Sequence, residues 1–213
     1  MARWIGRENV RKRLEALDGG RTTYASGAAT FETADETIVV RPVFGLSHEG
    51  AYEGIVVEPL IEALFGERVV AAVLVRLGGF AVGVFEGERL VASKVGSRFV
   101  KGRHKKGGSS SGRFRRRREE QARALIDAAA ETAVRVFEPW RPKIEHVALG
   151  GDRRAIDSLL EDERLGWLEE KRLQRFFTTE DPRQRTLARL PYALYAAEVE
   201  TISLDSGRKG EQP

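Results

Sequence analysis

Between Lys94 and Arg118 the chain carries eleven basic residues and neither Asp nor Glu. The sequence as a whole has 36 basic and 32 acidic residues, a formal charge of +4. Outside this segment, 25 of the 36 basic residues therefore stand against all 32 acidic ones. A mildly acidic body with one concentrated cationic segment predicts a polyanionic partner contacted at one place. Within the segment, Lys101, Arg103, Lys105 and Lys106 precede the run Gly107-Gly108-Ser109-Ser110-Ser111-Gly112. Arg113, Arg115, Arg116, Arg117 and Arg118 follow it. Small residues that bring the backbone close to a ligand, flanked by cations on both sides, suit contact with phosphates.

Other chemistries fit less well. Gly102 to Ser109 approaches a phosphate-binding P-loop, but Gly108 stands where that loop needs its lysine, so the charge that reaches the β/γ-phosphates is missing. Gly108-Ser109-Ser110-Ser111-Gly112 spells the nucleophile-elbow pattern without an apolar strand before it or evident Asp and His partners after it. His48, His104 and His146 have no metal-ligand spacing, and the chain has no cysteine. No metal and no cofactor is expected. His146 lies in an apolar run and reads as a core histidine. Asp152, after Gly150-Gly151, reads as a helix N-cap.

These residues need elements to position them. Residues 69–76, 80–85 and 89–95 are strand-like runs separated by Gly78-Gly79 and Glu86-Gly87, which predicts a meander whose first strand is buried on both faces. The third strand delivers the chain into the Gly/Ser/Lys-rich stretch, expected as a mobile loop over about 102–112. From about Arg115 to Phe137, Ala122, Leu125, Ile126, Ala129, Ala133, Val136 and Phe137 recur at helical spacing. Arg113 to Arg118 then occupy the helix N-terminus, where the macrodipole disfavours positive charge unless an anion binds.

Residues 144–149 read as a strand, 153–161 as a helix and 172–177 as a further strand. Asp181-Pro182 reads as an N-cap pair opening a helix toward Ala197, kinked or broken at Pro191. Upstream, 7–17 reads as a short amphipathic helix, 37–43 as a strand and 44–54 as a loop, with Pro59 in the first turn of a helix through Leu64. The fold class is α/β: a mixed β-sheet flanked by helices, with an N-terminal helix-and-strand extension. Residues 1–65 form that extension, 66–204 the main domain with its basic loop at 101–113, and 205–213 a polar tail.

Gly107-Gly108-Ser109-Ser110-Ser111-Gly112-Arg113-Phe114, continuing through Arg116, Arg118 and Glu120, resembles the catalytic loop of the class-1 peptide-chain release factors of eukaryotes and archaea. That family has Gly-Gly-Gln-Ser-x-x-Arg-Phe, then basic residues and a Glu, with the loop running into a long helix. The cationic stretch before the loop and the strand ending in Gly150-Gly151 are also similar to the release factors' middle domain. Over about residues 66–180 the chain most resembles the Vms-like release-factor family of peptidyl-tRNA hydrolases, in its shorter bacterial branch. The family's glutamine falls on Ser109 in the ungapped register and on Ser110 in the Vms-like one; this chain has Gln at neither.

The resemblance implies a release-factor middle-domain-like fold and a ribosome-associated peptidyl-tRNA hydrolase that frees nascent chains from stalled ribosomes. Gly107, Gly108, Ser109 and Ser110 would be its catalytic loop, and the flanking cations would hold rRNA of the large subunit and peptidyl-tRNA. The alternative is a ribosome- or RNA-binding module that uses the same loop without catalysis. The charged N-terminus is unlike a signal peptide, and the longest apolar run, Val69 to Val75, is far short of the roughly 20 residues that span a bilayer. A cytoplasmic protein without membrane contact is expected.

Overall fold

The computed structural model describes residues 2–97, 111–179 and 181–203. They form two compact units, one from the residues up to Gly66 together with those from Tyr192 onward, the other Glu67–Pro191.

The first unit is an antiparallel sheet of β1 (Arg3–Gly6), β2 (Arg21–Ala25), β3 (Ala28–Glu32), β4 (Glu36–Pro42), β5 (Gly50–Glu53) and β10 (Ala196–Ser203). Their spatial order is β1-β10-β4-β3-β2-β5. β2 and β3 meet in a two-residue turn in which Ser26 (φ 52°) and Gly27 (φ 74°) are both left-handed, the geometry that matches the twist of a hairpin. Helices α1 (Arg7–Glu15) and α2 (Glu58–Phe65) cover one face, burying Val10, Leu14, Leu60 and Leu64 against Tyr24, Phe31, Ile38 and Val40. As expected, Pro59 lies in the first turn of α2.

Part of the expected loop 44–54 is strand: its end, β5, pairs with β2. Buried side chains hold it there. The Thr22 hydroxyl donates to the Gly54 carbonyl (2.8 Å) and accepts from the Val56 amide (3.0 Å), while the Tyr24 hydroxyl donates to the Val56 carbonyl (2.7 Å).

The second unit contains β6 (Val69–Arg76), β7 (Gly79–Glu86), β8 (Arg89–Ser97) and β9 (His146–Gly151), in the order β8-β7-β6-β9. Only β6 and β9 run parallel among these pairs, so the sheet is mixed and the fold is α/β as expected. Helices α3 (Ser111–Phe137) and α4 (Arg153–Leu160) pack on one face through Leu125, Ala129, Ala133, Phe137, Ile156 and Leu159. The other face meets α6 (Gln184–Leu194): a Cβ on Gly83 would stand 3.4 Å from the Leu187 side chain. From Val70 to Val75, β6 is buried on both faces, as its unbroken apolar run predicts. A short helix, α5 (Trp167–Glu170), follows α4.

Three expectations need correction here. Residues 172–177 form two isolated parallel bridges to β9, at Arg172 and Phe177, rather than a continuous strand. The edge of β9 is nonetheless covered, with Leu173 and Phe177 donating to the Val147 and Leu149 carbonyls (both 2.9 Å). Asp181 does not cap α6 at a Pro182 first turn. The helix starts at Gln184, and the Asp181 carboxylate pairs instead with Arg183 (2.7 Å) and Arg185 (3.3 Å). Finally, α6 accommodates Pro191 but ends at Leu194, and Ala196 begins β10, where Ala197 and Val199 are buried in the first core.

Candidate nucleic-acid interface

The C-terminal two thirds of α3 are anchored. Leu125, Ala129, Ala130, Ala133 and Phe137 are buried against β6 and β7, while Ile126 and Val136 are partly buried. Burial of each large side chain contributes roughly 1.5–3 kcal/mol. The N-terminal third has no such support: Gly112, Arg113, Arg116, Arg117, Glu119 and Glu120 are exposed, Arg118 is half-buried, and Leu125 is the first fully buried residue described. At 1.5 Å per residue, roughly 20 Å of helix separates Ser111 from Leu125.

Three strands end on the edge from which this stalk extends. β6 finishes at Arg76, β8 at Ser97 and β9 at Gly151, and the pairings of β7 and β9 put these ends side by side. Arg76, Leu77 and Asp152 share a cleft with Ala122 and Ile126, which places this part of α3 beside that edge. Residues 111–121 therefore lie beyond the sheet, in line with the site where β8 releases the chain toward the Gly/Ser segment.

The glycines at the end of β9 make this edge compact. A Cβ on Gly150 would stand 2.1 Å from the Phe177 carbonyl oxygen, and Gly151 has φ +100°. Asp152 then caps α4 as expected, its Oδ1 accepting from the Ala155 amide (3.1 Å).

The described carboxylates of the stalk, Glu119 and Glu120, stand at its inner end. The first turn of α3 contains no acidic residue. Arg113, Arg116, Arg117 and Arg118 make no ion pair among the described residues, whereas Arg164 bridges Asp162 (2.8 Å) and Glu131 (2.9 Å) at the anchored end of the unit. Each exposed cation at a helix N-terminus is disfavoured by roughly 0.3–1 kcal/mol. The buried stripe outweighs that cost, and a bound polyanion would reverse its sign. The sequence-predicted residues Arg113, Arg116, Arg117 and Arg118 are thus brought together on one helical projection. Arg115 belongs to the same turns, with its side chain outside the described part. Gly107, Gly108, Ser109, Ser110, Lys101, Arg103, Lys105 and Lys106, with the expected mobile loop 102–112 up to Ser110, lie outside the described residues.

Elsewhere the titratable groups are structural. His146 is half-buried, and burial pushes its pKa below 6.5. His48 Nε2 hydrogen-bonds the Tyr52 hydroxyl (2.8 Å) beside Tyr24, whose pKa burial pushes up to about 12. Among the described residues no group of three or more His, Asp or Glu side chains is placed to hold a metal ion, and no helix is long and apolar enough to cross a membrane.

The chain has recognisable relatives among known proteins. The chain is 27% identical over 108 residues to peptide chain release factor subunit 1 of Archaeoglobus fulgidus, an alignment covering 51% of this chain and 26% of that protein. It thus matches about a quarter of the length of this curated relative. The structure is similar to that of an archaeal translation termination factor (TM-score 0.44, 15% identity, 88% of this chain and 54% of that one). It is also similar to Archaeoglobus fulgidus Pelota (TM-score 0.34, 9% identity, 91% and 63%). Residues 68–200 match the family described as the Actinobacteria/chloroflexi VLRF1 release factor. That match takes in the sheet, the stalk helix and the Gly-Gly edge together, and the chain belongs to this release-factor family.

Proposed function

We propose that the protein is a ribosome-associated peptidyl-tRNA hydrolase that frees nascent chains from stalled ribosomes in the cytoplasm. The observation that carries this reading is the projection of Arg113 and Arg116 to Arg118 on helical turns that lie beyond the sheet and lack carboxylate partners among the described residues. A helical stalk of this kind can reach into an RNA-lined cavity, neutralise phosphates on both sides, and carry the small Gly107–Gly112 segment to its far end.

The chemistry asked of the protein is modest. A water oxygen attacks the ester carbonyl that joins the peptide to the tRNA ribose, and the carbon–oxygen bond to the ribose breaks. The peptide leaves as a carboxylic acid, and the ribose oxygen takes up a proton. Backbone N–H groups at a Gly107-Gly108 turn would stabilise the developing oxyanion, and the Ser109 or Ser110 hydroxyl would hold the water. Delivery and orientation supply the remainder. Lys101, Arg103, Lys105 and Lys106 would add phosphate contacts on rRNA or on the acceptor end of the tRNA.

Ser at both candidate glutamine positions favours one alternative, a ribosome-binding module with the same stalk and no hydrolysis. Incubation of the purified chain with stalled ribosomes carrying labelled peptidyl-tRNA separates the two. Free peptide above the uncatalysed background establishes the hydrolase; binding without release establishes the module.

A further inference from the structure

Where α3 meets the strand-end edge, the surface opens into a cleft of about 210 Å³. That is below the roughly 300–1,000 Å³ of pockets that enclose a drug-sized ligand, so the cleft suits a single flat ring. Its walls are apolar, with Ile126 on α3, Ala155 on α4 and Leu77 in the β6–β7 turn. Leu77 is 63% exposed, a large apolar side chain presented to solvent beside a concave surface.

The rim carries two arginines that, like those of the stalk, have no carboxylate partner among the described residues. Arg89, Arg164, Arg172, Arg183 and Arg185 each face a carboxylate. Arg76 and Arg154, which line the cleft, pair with none among the described residues. Arg76 is held in place, one Nη donating to the Thr179 carbonyl (2.8 Å), and keeps its other N–H groups for a ligand. Asp152 supplies an acceptor. Only one of its oxygens is used in capping α4, and a carboxylate has about four lone-pair sites. A planar apolar face, N–H donors at its edge and phosphate outside it are together the chemistry of one nucleotide.

The cleft also continues the stalk. Arg118, Ala122 and Ile126 follow one another at four-residue steps, so they share a helix face, and Arg118 stands about 6 Å along the helix beyond Ala122 at the cleft. A strand held by Arg118 would lie within reach of the opening. We propose that the cleft receives one unpaired nucleotide of the RNA strand that lies along α3, its base against Leu77 and Ile126 and its phosphates toward Arg76 and Arg154. This rests on the reading that the arginines of α3 contact RNA.

The test is a methyl and amide NMR titration of the full chain with single-stranded hexa-adenylate, AMP and a short uncharged leucine-rich peptide. Hexa-adenylate is expected to shift the Leu77, Ile126 and Ala155 methyls together with the amides of Arg113 to Arg118. Arg154→Ala and the exposed-site variant Leu77→Asp should each weaken hexa-adenylate binding about tenfold. Shifted arginine amides with unmoved cleft methyls would overturn this inference and leave the RNA reading standing. Silence in both regions overturns both. AMP shifting the cleft methyls as strongly as hexa-adenylate does, without the α3 amides, overturns the proposal in favour of a free-nucleotide site. The same follows for a protein partner if only the peptide shifts them.

Discussion

Gly151 sits against Val75 so closely that a Cβ on it would stand 2.0 Å from the Val75 carbonyl oxygen. The same oxygen accepts a hydrogen bond from the Asp152 amide at 2.7 Å. This approach closes the parallel β6/β9 pair at the edge where the stalk of α3 is seated, so backbone shape at one glycine is tied to the position of the candidate site.

Gly151→Ala should therefore destabilise the protein. The left-handed φ of +100° costs a non-glycine residue about 1–3 kcal/mol, and the clash with the Val75 backbone adds to it. Urea unfolding is expected to show a lower midpoint with an unchanged slope. Wild-type stability in this variant would mean that the edge relaxes without cost.

Replacing Arg115, Arg116, Arg117 and Arg118 with Ala should flatten the salt dependence of tRNA or ribosome binding. Each phosphate contact contributes about 0.7–0.9 to the log–log slope, so the loss of four contacts lowers it by roughly 3. Thermal stability should stay level or rise slightly, because the described arginines are outside the buried stripe and positive charge leaves the positive end of the helix dipole. An unchanged slope would remove the polyanion contact from these turns.

The Gly/Ser segment can be examined by separating binding from release. Gly108→Ala narrows the backbone at the proposed turn and should abolish peptide release with ribosome binding nearly intact. Ser109→Ala and Ser110→Ala should cost less, since each keeps its N–H. Introducing Gln at one of these two positions is expected to raise the release rate and so identify the register. If no variant or wild-type chain releases peptide while all bind, the hydrolase reading fails.

His146 predicts a pH dependence of stability. Burial, with Arg68 and Lys171 assisting and Glu145 opposing, holds its pKa below the ordinary 6.5. Below pH 6.5 the unfolded chain takes up a proton that the folded one refuses, so stability is fully present above 6.5 and falls as pH drops toward the folded value. His146→Gln should flatten the stability profile below pH 6.5. An identical profile in wild type and variant would show that the imidazole is not desolvated.

The sequence alone determined the features that rest on local pattern. The eleven cations without an acid, the meander of 69–95, the apolar stripe of α3 and the Asp152 cap are all readable from residue type and spacing, because each element's preference and its burial agree. The resemblance of residues 107–120 to the release-factor loop was legible for the same reason, since a short motif needs only its own order. Tertiary structure decided what depends on partners far along the chain. β10 has Ala and Glu enough for a helix, yet Ala197 and Val199 are buried between β1 and β4, and pairing on both edges overrides the local preference. Thr22 and Tyr24 look unremarkable in sequence, but their hydroxyls reach 32 to 34 residues ahead to hold the segment after β5. The place where burial along α3 stops is likewise set by tertiary packing, with Leu125 and Ile126 against the core and Leu77 left exposed, and that turns a run of arginines into a stalk with a cleft at its base. Periodicity states which side of a helix is buried; only the contacts of the folded chain state where along the helix burial stops.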